Sequence, residues 1–243
     1  EDAYTGAAMG TFAQKTADEH GLTREAMDAF AIESLTRAQR AIDEGLNHKE
    51  IAPVTIRTRR GEHTVSADEQ PHKANLEKIP QLRPAFAENG TITPANSSSI
   101  SDGASALLLA SEQAVETHGL TARARIVAHS RNSLAPEAFT LAPIGAAEDV
   151  LAKAGWSVAD VDLWEINEAF AMVTMLTVEA LKLDPACVNV HGGACAQGHP
   201  IGSTGSRIIV TLMHALEHYG KKRGVAALCI GGGEATAVAI ELV

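Results

Sequence analysis

A glycine-rich turn, Gly192-Gly193-Ala194-Cys195-Ala196-Gln197-Gly198-His199-Pro200-Ile201-Gly202, connects a short apolar run at 187–190 to an amphipathic segment at 202–218. A strand that passes through such a turn into a helix is typical of α/β folds. Ligands bind beyond the strand ends of these sheets, where turns of this kind lie. Glycines also let backbone N–H groups approach a ligand closely. The stretch therefore predicts an α/β fold and a binding site around His199.

The same alternation of strands and helices continues on both sides of this turn. We predict strands at 124–128, 161–166, 187–190, 225–230 and 236–242. We predict helices at 145–154, 168–182 and 202–218, and one more that Asp102 caps and that runs to about Thr117. The strands are short apolar runs, as expected where helices cover both faces of a sheet. These elements predict an α/β layered domain.

Residues 1 to about 100 are more polar and less regular. One strong helix is expected from Arg24 to Glu44, with Thr23 as its N-cap and Gly45 just after its end. A hairpin is expected between 53–58 and 63–66. Prolines at 71, 80 and 84 predict an extended excursion from residue 68 to residue 90.

Composition narrows the class of protein. The chain has 243 residues, of which 45% are hydrophobic, and it begins with Glu1, which suggests a fragment or a processed product. No apolar run reaches the ~18 residues that a membrane span needs, so no membrane partner is expected. A net charge of −10 argues against a nucleic-acid surface. Three cysteines without framework spacing favour a reducing compartment, and we predict a cytoplasmic protein.

Two side chains near the C-terminus have the surroundings of reactive groups. His199 lies among four glycines, although a loop histidine that only hydrogen-bonds to the backbone is the plainer alternative. Cys229 lies at the end of an apolar run, and only Ile230 separates it from Gly231-Gly232-Gly233. Most buried cysteines are inert, but core packing does not require a glycine triplet. A histidine and a thiol so placed predict acyl chemistry on a thioester.

Two further motifs follow. Asn167 comes directly after a predicted strand, where its amide could hold a water or an oxyanion or could cap a helix. His214-Ala215-Leu216-Glu217-His218 matches an H-x-x-E-H metal motif. We predict no metal there, because the motif lies at a solvated helix end without a third ligand.

Taken in order along the chain, several motifs resemble those of the thiolases, the acetyl-CoA acetyltransferases and 3-ketoacyl-CoA thiolases. They are Met9-Gly10, the stretch 82–104, Asn167-Glu168-Ala169-Phe170, the turn 192–202 and Cys229-Ile230-Gly231-Gly232-Gly233. The resemblance covers the whole chain. It implies a thiolase-like layered fold, with a mixed five-stranded sheet flanked by helices and an inserted loop domain, here one half of a duplicated fold. It divides the chain into a CoA-contacting loop domain (1–101), the end of the N-terminal half (102–120) and the C-terminal domain (121–243).

The resemblance also implies an activity, the Claisen condensation or thiolytic cleavage of 3-ketoacyl-CoA, with acetyl-CoA and acetoacetyl-CoA as the expected substrates. By this resemblance His199 activates a nucleophilic cysteine, and Cys229 moves the α-proton of the second acyl-CoA. Asn167 holds a water that forms an oxyanion hole with His199. The backbone N–H of Gly231 serves a second hole.

The resemblance further implies where the substrate lies. The pantetheine arm of CoA is expected along Ser98 and Phe170, with Met9 at the acyl end and the phosphates near His72 and Lys73. Coenzyme A is the substrate carrier, and no cofactor is expected. A homodimer or homotetramer in fatty acid metabolism is the expected setting.

This sequence departs from the family pattern at the nucleophile. None of its three cysteines has the nucleophile's context, so the N-terminal part that carries it is expected to be missing and the chain alone to be inactive. Glu234-Ala235 follows the glycine triplet and His191 precedes Gly192, which makes the acyl specificity an open point. A non-catalytic CoA- or lipid-binding protein is the main alternative. A decarboxylating ketoacyl synthase is a weaker one, since those enzymes have a second histidine in place of Cys229.

Overall fold

The structure is a computed structural model that describes residues 1–243. Its six strands are β1 (Val54–Thr58), β2 (Gly61–Val65), β3 (Ala124–Ser133), β4 (Leu163–Ile166), β5 (Arg223–Cys229) and β6 (Glu234–Leu242). The helices are α1 (Met9–Glu19), α2 (Arg24–Asp43), α3 (Gln70–Lys73), α4 (Glu112–His118), α5 (Ala142–Ala154), α6 (Ala171–Leu181), α7 (Ala194–Gln197) and α8 (Thr204–His218). Short 3₁₀ turns lie at Leu76–Gln81, Pro136–Leu141, Val158–Asp160 and Pro185–Cys187.

The main sheet is mixed and has the strand order β3-β6-β5-β4. β4 and β5 run parallel, and the other two pairs are antiparallel. The predicted fifth strand at 187–190 is reduced to one bridge between Val188 and Trp164. Asn189 explains the loss, because its φ of 47° is left-handed and breaks an extended run. The sheet therefore has four strands instead of the five expected.

Helices cover both faces of this sheet. α5 packs on one face, where Val150 and Leu151 meet Trp164 and Val225. α8 packs on the other face with an apolar stripe that includes Leu212 and Leu216. All four residues of β4 are buried, as a strand between two helical layers requires. These layers bring the carboxyl ends of β4 and β5 to one edge.

The first hundred residues pack against that edge. α2 begins where the sequence predicts, with the Thr23 hydroxyl accepting a 3.2 Å hydrogen bond from Ala26 N. Together α1 and α2 form an apolar cluster with Phe170 and Cys229 from the sheet edge. The hairpin β1–β2 is also confirmed, with its turn at residues 59–60 and its strands exposed.

The predicted helix from Asp102 to about Thr117 is wrong. Only α4 is helical in that stretch, and Ser111 caps it by accepting a 3.2 Å bond from Ala114 N. The residues before it form neither a regular helix nor a strand. The run 106–110 is apolar throughout, so a helix there would have no polar face. Ser105 also ties this segment to α8, with its Oγ 2.7 Å from Ser203 Oγ.

None of the helices combines the length and the apolar character that a membrane crossing requires.

Candidate active site

The candidate site lies where the parallel strands β4 and β5 end. Asn167 follows β4, and its backbone N–H donates a 2.9 Å hydrogen bond to the carbonyl of Ala227 on β5. Two residues further on, Cys229 ends β5. Parallel strands present their carboxyl ends at the same edge, so the pairing brings these two predicted residues side by side.

A loop and the start of α8 hold His199 in place. Its backbone N–H donates to Ser99 O at 3.0 Å, so the loop pairs with the segment that carries Ser98 and Ser99. Its ring Nδ1 lies 2.6 Å from Thr204 Oγ1 in the first turn of α8. Burial, helped by the positive charge of Arg207, lowers the pKa of His199. The imidazole is therefore neutral near pH 7 and able to accept a proton.

Cys229 is buried in the apolar cluster formed by α1, α2 and the sheet edge. Burial raises its pKa to about 12, because the thiolate loses its hydration there. The resting form is therefore the thiol. A backbone hydrogen bond is the one influence that favours the thiolate, and burial outweighs it.

The glycine triplet makes a tight turn after Cys229. Ile230 N donates to Glu234 O at 2.7 Å, and Gly233 N donates to Ile230 O at 3.1 Å. Gly233 has a φ of 101° and lies against the backbone of Leu134, so only glycine fits there. The N–H of Gly231 donates to no protein atom, which leaves it available to an oxyanion.

The amide of Asn167 has no partner in the protein. Its Nδ2 and Oδ1 atoms are both buried, and neither makes a hydrogen bond within the chain. A buried amide without a partner costs free energy unless a water or a ligand satisfies it. The side chain does not cap α6 either, because α6 begins at Ala171 without a side-chain cap. The geometry therefore favours a water or oxyanion contact over a capping role.

Glu168 is a buried residue whose role the sequence did not reveal. Its carboxylate accepts hydrogen bonds from Ser34 Oγ at 2.7 Å, Asn189 Nδ2 at 2.8 Å and Cys195 N at 3.1 Å. Burial raises its pKa, while these three donors favour the charged form. The one signal available was a charged residue two positions after a buried strand. Glu168 therefore ties the backbone that follows β4 to the turn that leads to His199.

The predicted substrate contacts are in part brought together. Ser98 Oγ donates to Ala169 O at 3.0 Å, so it lies beside Phe170. Met9 packs on the same cluster as Phe170, and a Cβ placed on Gly231 would lie 3.5 Å from Met9 Cε. His72 and Lys73 lie on α3, whose first residue, Gln70, accepts a 2.8 Å hydrogen bond from Ser99 Oγ. Their side chains are exposed and pair with Asp43 at 3.3 Å and Glu69 at 3.0 Å.

The H-x-x-E-H motif and the two other cysteines lie in surroundings that explain them without a catalytic role. In the H-x-x-E-H motif, His214 and Glu217 both contact Arg123, and the ring of His218 packs on Tyr219. Arg123 thus engages the ring of His214 and the carboxylate of Glu217. Burial raises the pKa of both other thiols, Cys187 and Cys195. None of the three cysteines is thus prepared as a thiolate nucleophile.

Comparison with known proteins places this geometry in a family. The family model for the thiolase C-terminal domain matches residues 120–242, and the model for the thiolase N-terminal domain matches residues 1–113. A probable acetyl-CoA acetyltransferase of Dictyostelium discoideum is 47% identical over 99% of this chain and 58% of its own length. The cytosolic acetyl-CoA acetyltransferase of Mus musculus is 45% identical over 99% of this chain and 61% of its own length.

A solved structure agrees. The crystal structure of the Bacillus anthracis acetyl-CoA acetyltransferase has a TM-score of 0.97 and 40% identity over 100% of this chain and 62% of that chain. This chain thus spans about 60% of the length of the relatives it matches. The expectation that the N-terminal thiolase part is missing is not borne out as stated, because the N-terminal model matches residues 1–113. The chain belongs to the thiolase family.

Proposed function

We propose that this protein acts as an acyl-CoA C-acyltransferase of the thiolase type. The reaction would join two molecules of acetyl-CoA into acetoacetyl-CoA and CoA, or run in reverse. The observation that carries the proposal is the unpartnered, buried amide of Asn167 beside the strand that ends at Cys229. That arrangement suits a developing oxyanion next to a proton-transfer group. The names of the relatives support acetyl-CoA as the substrate.

His199 would serve the first step, in which an acyl group moves from CoA to a nucleophilic cysteine. Its lowered pKa keeps the ring neutral and ready to take the proton of the attacking thiol. With the water on Asn167 it would then stabilise a thioester oxyanion. The acyl acceptor is proposed by family resemblance alone, since none of Cys187, Cys195 and Cys229 matches it.

Cys229 would serve the second step. In the cleavage direction its resting thiol would protonate the enolate that leaves as acetyl-CoA. In the condensation direction its thiolate would remove an α-proton, and a thiolate whose conjugate acid has a pKa of about 12 is a strong base. The free N–H of Gly231 would hold the enolate oxygen at this stage.

The acyl-CoA would lie along the edge formed by Ser98 and Phe170, with its acyl end at Met9. Support comes from the contact of Met9 with the glycine triplet. His72 and Lys73 stay proposed as phosphate contacts, and binding would require them to exchange Asp43 and Glu69 for phosphate oxygens. Coenzyme A acts here as substrate carrier, and the proposal includes no metal and no further cofactor.

The test measures acylation and overall turnover separately. It uses the protein as its natural gene encodes it. His199→Ala should abolish the acyl-enzyme burst with acetyl-CoA. Cys229→Ala should keep the burst but lower turnover by about 10²–10⁴-fold, the usual contribution of a general base. Cys187→Ala is the matched control and should behave like the wild type. A burst that survives in His199→Ala but is lost in Cys229→Ala would reverse the two roles.

A binding protein without catalysis is the second candidate. The raised pKa of every thiol in the chain favours it, since no residue here is ready for acylation. Intact mass spectrometry after incubation with acetyl-CoA distinguishes the two. A protein that binds CoA but gains no acetyl group and makes no acetoacetyl-CoA would support binding alone.

We base the proposed cellular location on the names of the relatives. A cytosolic mouse relative supports a cytoplasmic location. A homodimer or homotetramer in fatty acid metabolism is likewise proposed, and sedimentation of the natural protein would test the assembly.

A further inference from the structure

The hydroxyl of Thr204 makes two contacts that restrict where protons can lie. Its Oγ1 lies 2.6 Å from His199 Nδ1 and 3.0 Å from the carbonyl oxygen of Pro200. A threonine hydroxyl has one proton to donate, while a carbonyl oxygen can only accept. If the proton pointed at Nδ1, two oxygen lone pairs would face each other across 3.0 Å. The proton therefore points at Pro200 O, and Nδ1 must supply the proton of the shorter bond.

The rest of the site leaves this arrangement undisturbed. Thr204 is fully buried, so bulk water does not compete for its hydroxyl. Its contact to Pro200 is the i to i−4 bond that threonine often makes to the preceding turn. The same carbonyl oxygen also accepts from Ser203 N at 2.8 Å and from Thr204 N at 2.9 Å. The charged group that acts on His199 is Arg207, one turn further along α8, and it opposes a second proton on the ring.

We propose that Thr204 is a positioning residue that fixes the Nδ1–H tautomer of His199. A neutral imidazole carries one proton, so Nε2 is left as the bare acceptor. Nε2 makes no hydrogen bond to the protein, which leaves it free for the reacting group. The kinetic consequence rests on the proposed acyltransferase function, whereas the tautomer does not.

The first test reads the tautomer directly on this chain by NMR with ¹⁵N-labelled histidine. A difference spectrum against His199→Gln identifies the His199 signals among those of the 10 histidines. In the wild type near pH 7 we expect a protonated Nδ1 and an unprotonated Nε2. Thr204→Val keeps the shape but removes the acceptor, so the proton should move in part or entirely to Nε2. Thr204→Ser restores a hydroxyl and should restore the wild-type tautomer.

Thr177→Val is the matched control. Thr177 is also buried and donates to the carbonyl four residues earlier, Val173 O at 2.8 Å, but it contacts no imidazole. Its variant should leave the His199 signals unchanged. A proton on Nε2 in the wild type would overturn the inference, and that result needs no variant to fold. An unchanged tautomer in Thr204→Val would also overturn it.

The second test measures the acyl-enzyme burst of the natural protein. Thr204→Val should slow the burst by about 10–100-fold with little change in KM, a smaller effect than loss of the whole base. Thr204→Ser and Thr177→Val should stay close to the wild type. An equal loss in Thr204→Ser and Thr204→Val would contradict the role of the hydroxyl. A wild type without any burst would refute the proposed function, and the NMR result would then decide the tautomer by itself.

Discussion

Ser34 Oγ donates a 2.7 Å hydrogen bond to Glu168 Oε2, and 134 residues separate the two along the chain. The same hydroxyl accepts a 3.0 Å bond from Gly193 N. Ser34 belongs to α2, Glu168 follows the strand that ends beside Asn167, and Gly193 opens the turn that leads to His199. One buried hydroxyl thus joins the N-terminal helices to both backbone segments that carry the proposed catalytic residues.

Removing this hydroxyl should weaken the fold. In Ser34→Ala the N–H of Gly193 loses its acceptor and the Glu168 carboxylate loses a donor, both in a buried place. We expect a loss of about 1–3 kcal/mol in the free energy of unfolding. Urea denaturation followed by circular dichroism measures it. Thr36→Ala on the same helix removes an exposed hydroxyl and should change stability by no more than about 0.5 kcal/mol.

Gly193 should tolerate no side chain. A Cβ at this position would collide with the carboxylate of Glu168, which three hydrogen bonds hold in place. Its φ of −140° is ordinary, so the obstacle is steric and not conformational. Gly193→Ala should therefore cost about 1–3 kcal/mol or more, as overpacked cores do. Gly202→Ala, where a Cβ meets nothing within 4 Å, should be nearly neutral when both variants are measured by urea denaturation.

His191 should make the fold sensitive to acid. Its ring is buried with both nitrogens unpartnered, and burial, aided by His218 and Arg40, lowers its pKa to about 4. The unfolded state binds a proton near pH 6.5 and the folded state only near pH 4, so stability falls as pH drops through that window. The slope from this residue is at most about 1.4 kcal/mol per pH unit.

His191→Phe keeps a ring against Tyr219, 5.7 Å away in the wild type, and removes the proton. The difference in unfolding free energy between this variant and the wild type should grow in favour of the variant from pH 6.5 down to pH 4. If the unfolding free energies of the two proteins depended on pH in the same way, His191 would not be a buried neutral histidine.

Glu165 should make the fold less stable as the pH rises, whereas His191 does so as the pH falls. It is buried at the centre of β4, and burial raises its pKa to about 8 against the attraction of Arg207. The two side chains are 3.8 Å apart, too far for a hydrogen bond, so the pair does not hold the carboxylate charged at pH 7. The folded state keeps a proton that the unfolded chain releases above about pH 4.5, so stability falls as pH rises towards 8.

Glu165→Gln copies the neutral acid without a titrating group. Its unfolding free energy, relative to that of the wild type, should rise between pH 5 and pH 8 and level off above. A variant that is equally destabilised at every pH would mean that Glu165 is charged and paired with Arg207. Denaturation curves at four or five pH values are sufficient.

The local pattern of the sequence was enough to predict much of this protein. Period and capping predicted α2 from Thr23 onward, and apolar runs predicted the strands that became β3 to β6, because those signals act within a few neighbouring residues. Motifs in a fixed order indicated the thiolase family before any contact was known. The glycine-rich turns around His199 and Cys229 marked the site, since few structural roles require a reactive side chain among several glycines.

Tertiary contacts decided the rest. The segment before α4 forms no regular helix, and Ser105 joins it to Ser203 and Ser206 at the start of α8. The fifth strand shrank to one bridge at the left-handed Asn189. Burial decided that Cys229 rests as a thiol and that Glu165 is neutral at pH 7. The Ser34–Glu168 bond joins residues far apart in the chain, and no local pattern encodes such a pair. Protonation and long-range hydrogen bonds depend on which atoms surround a group, and only the folded chain brings those atoms together.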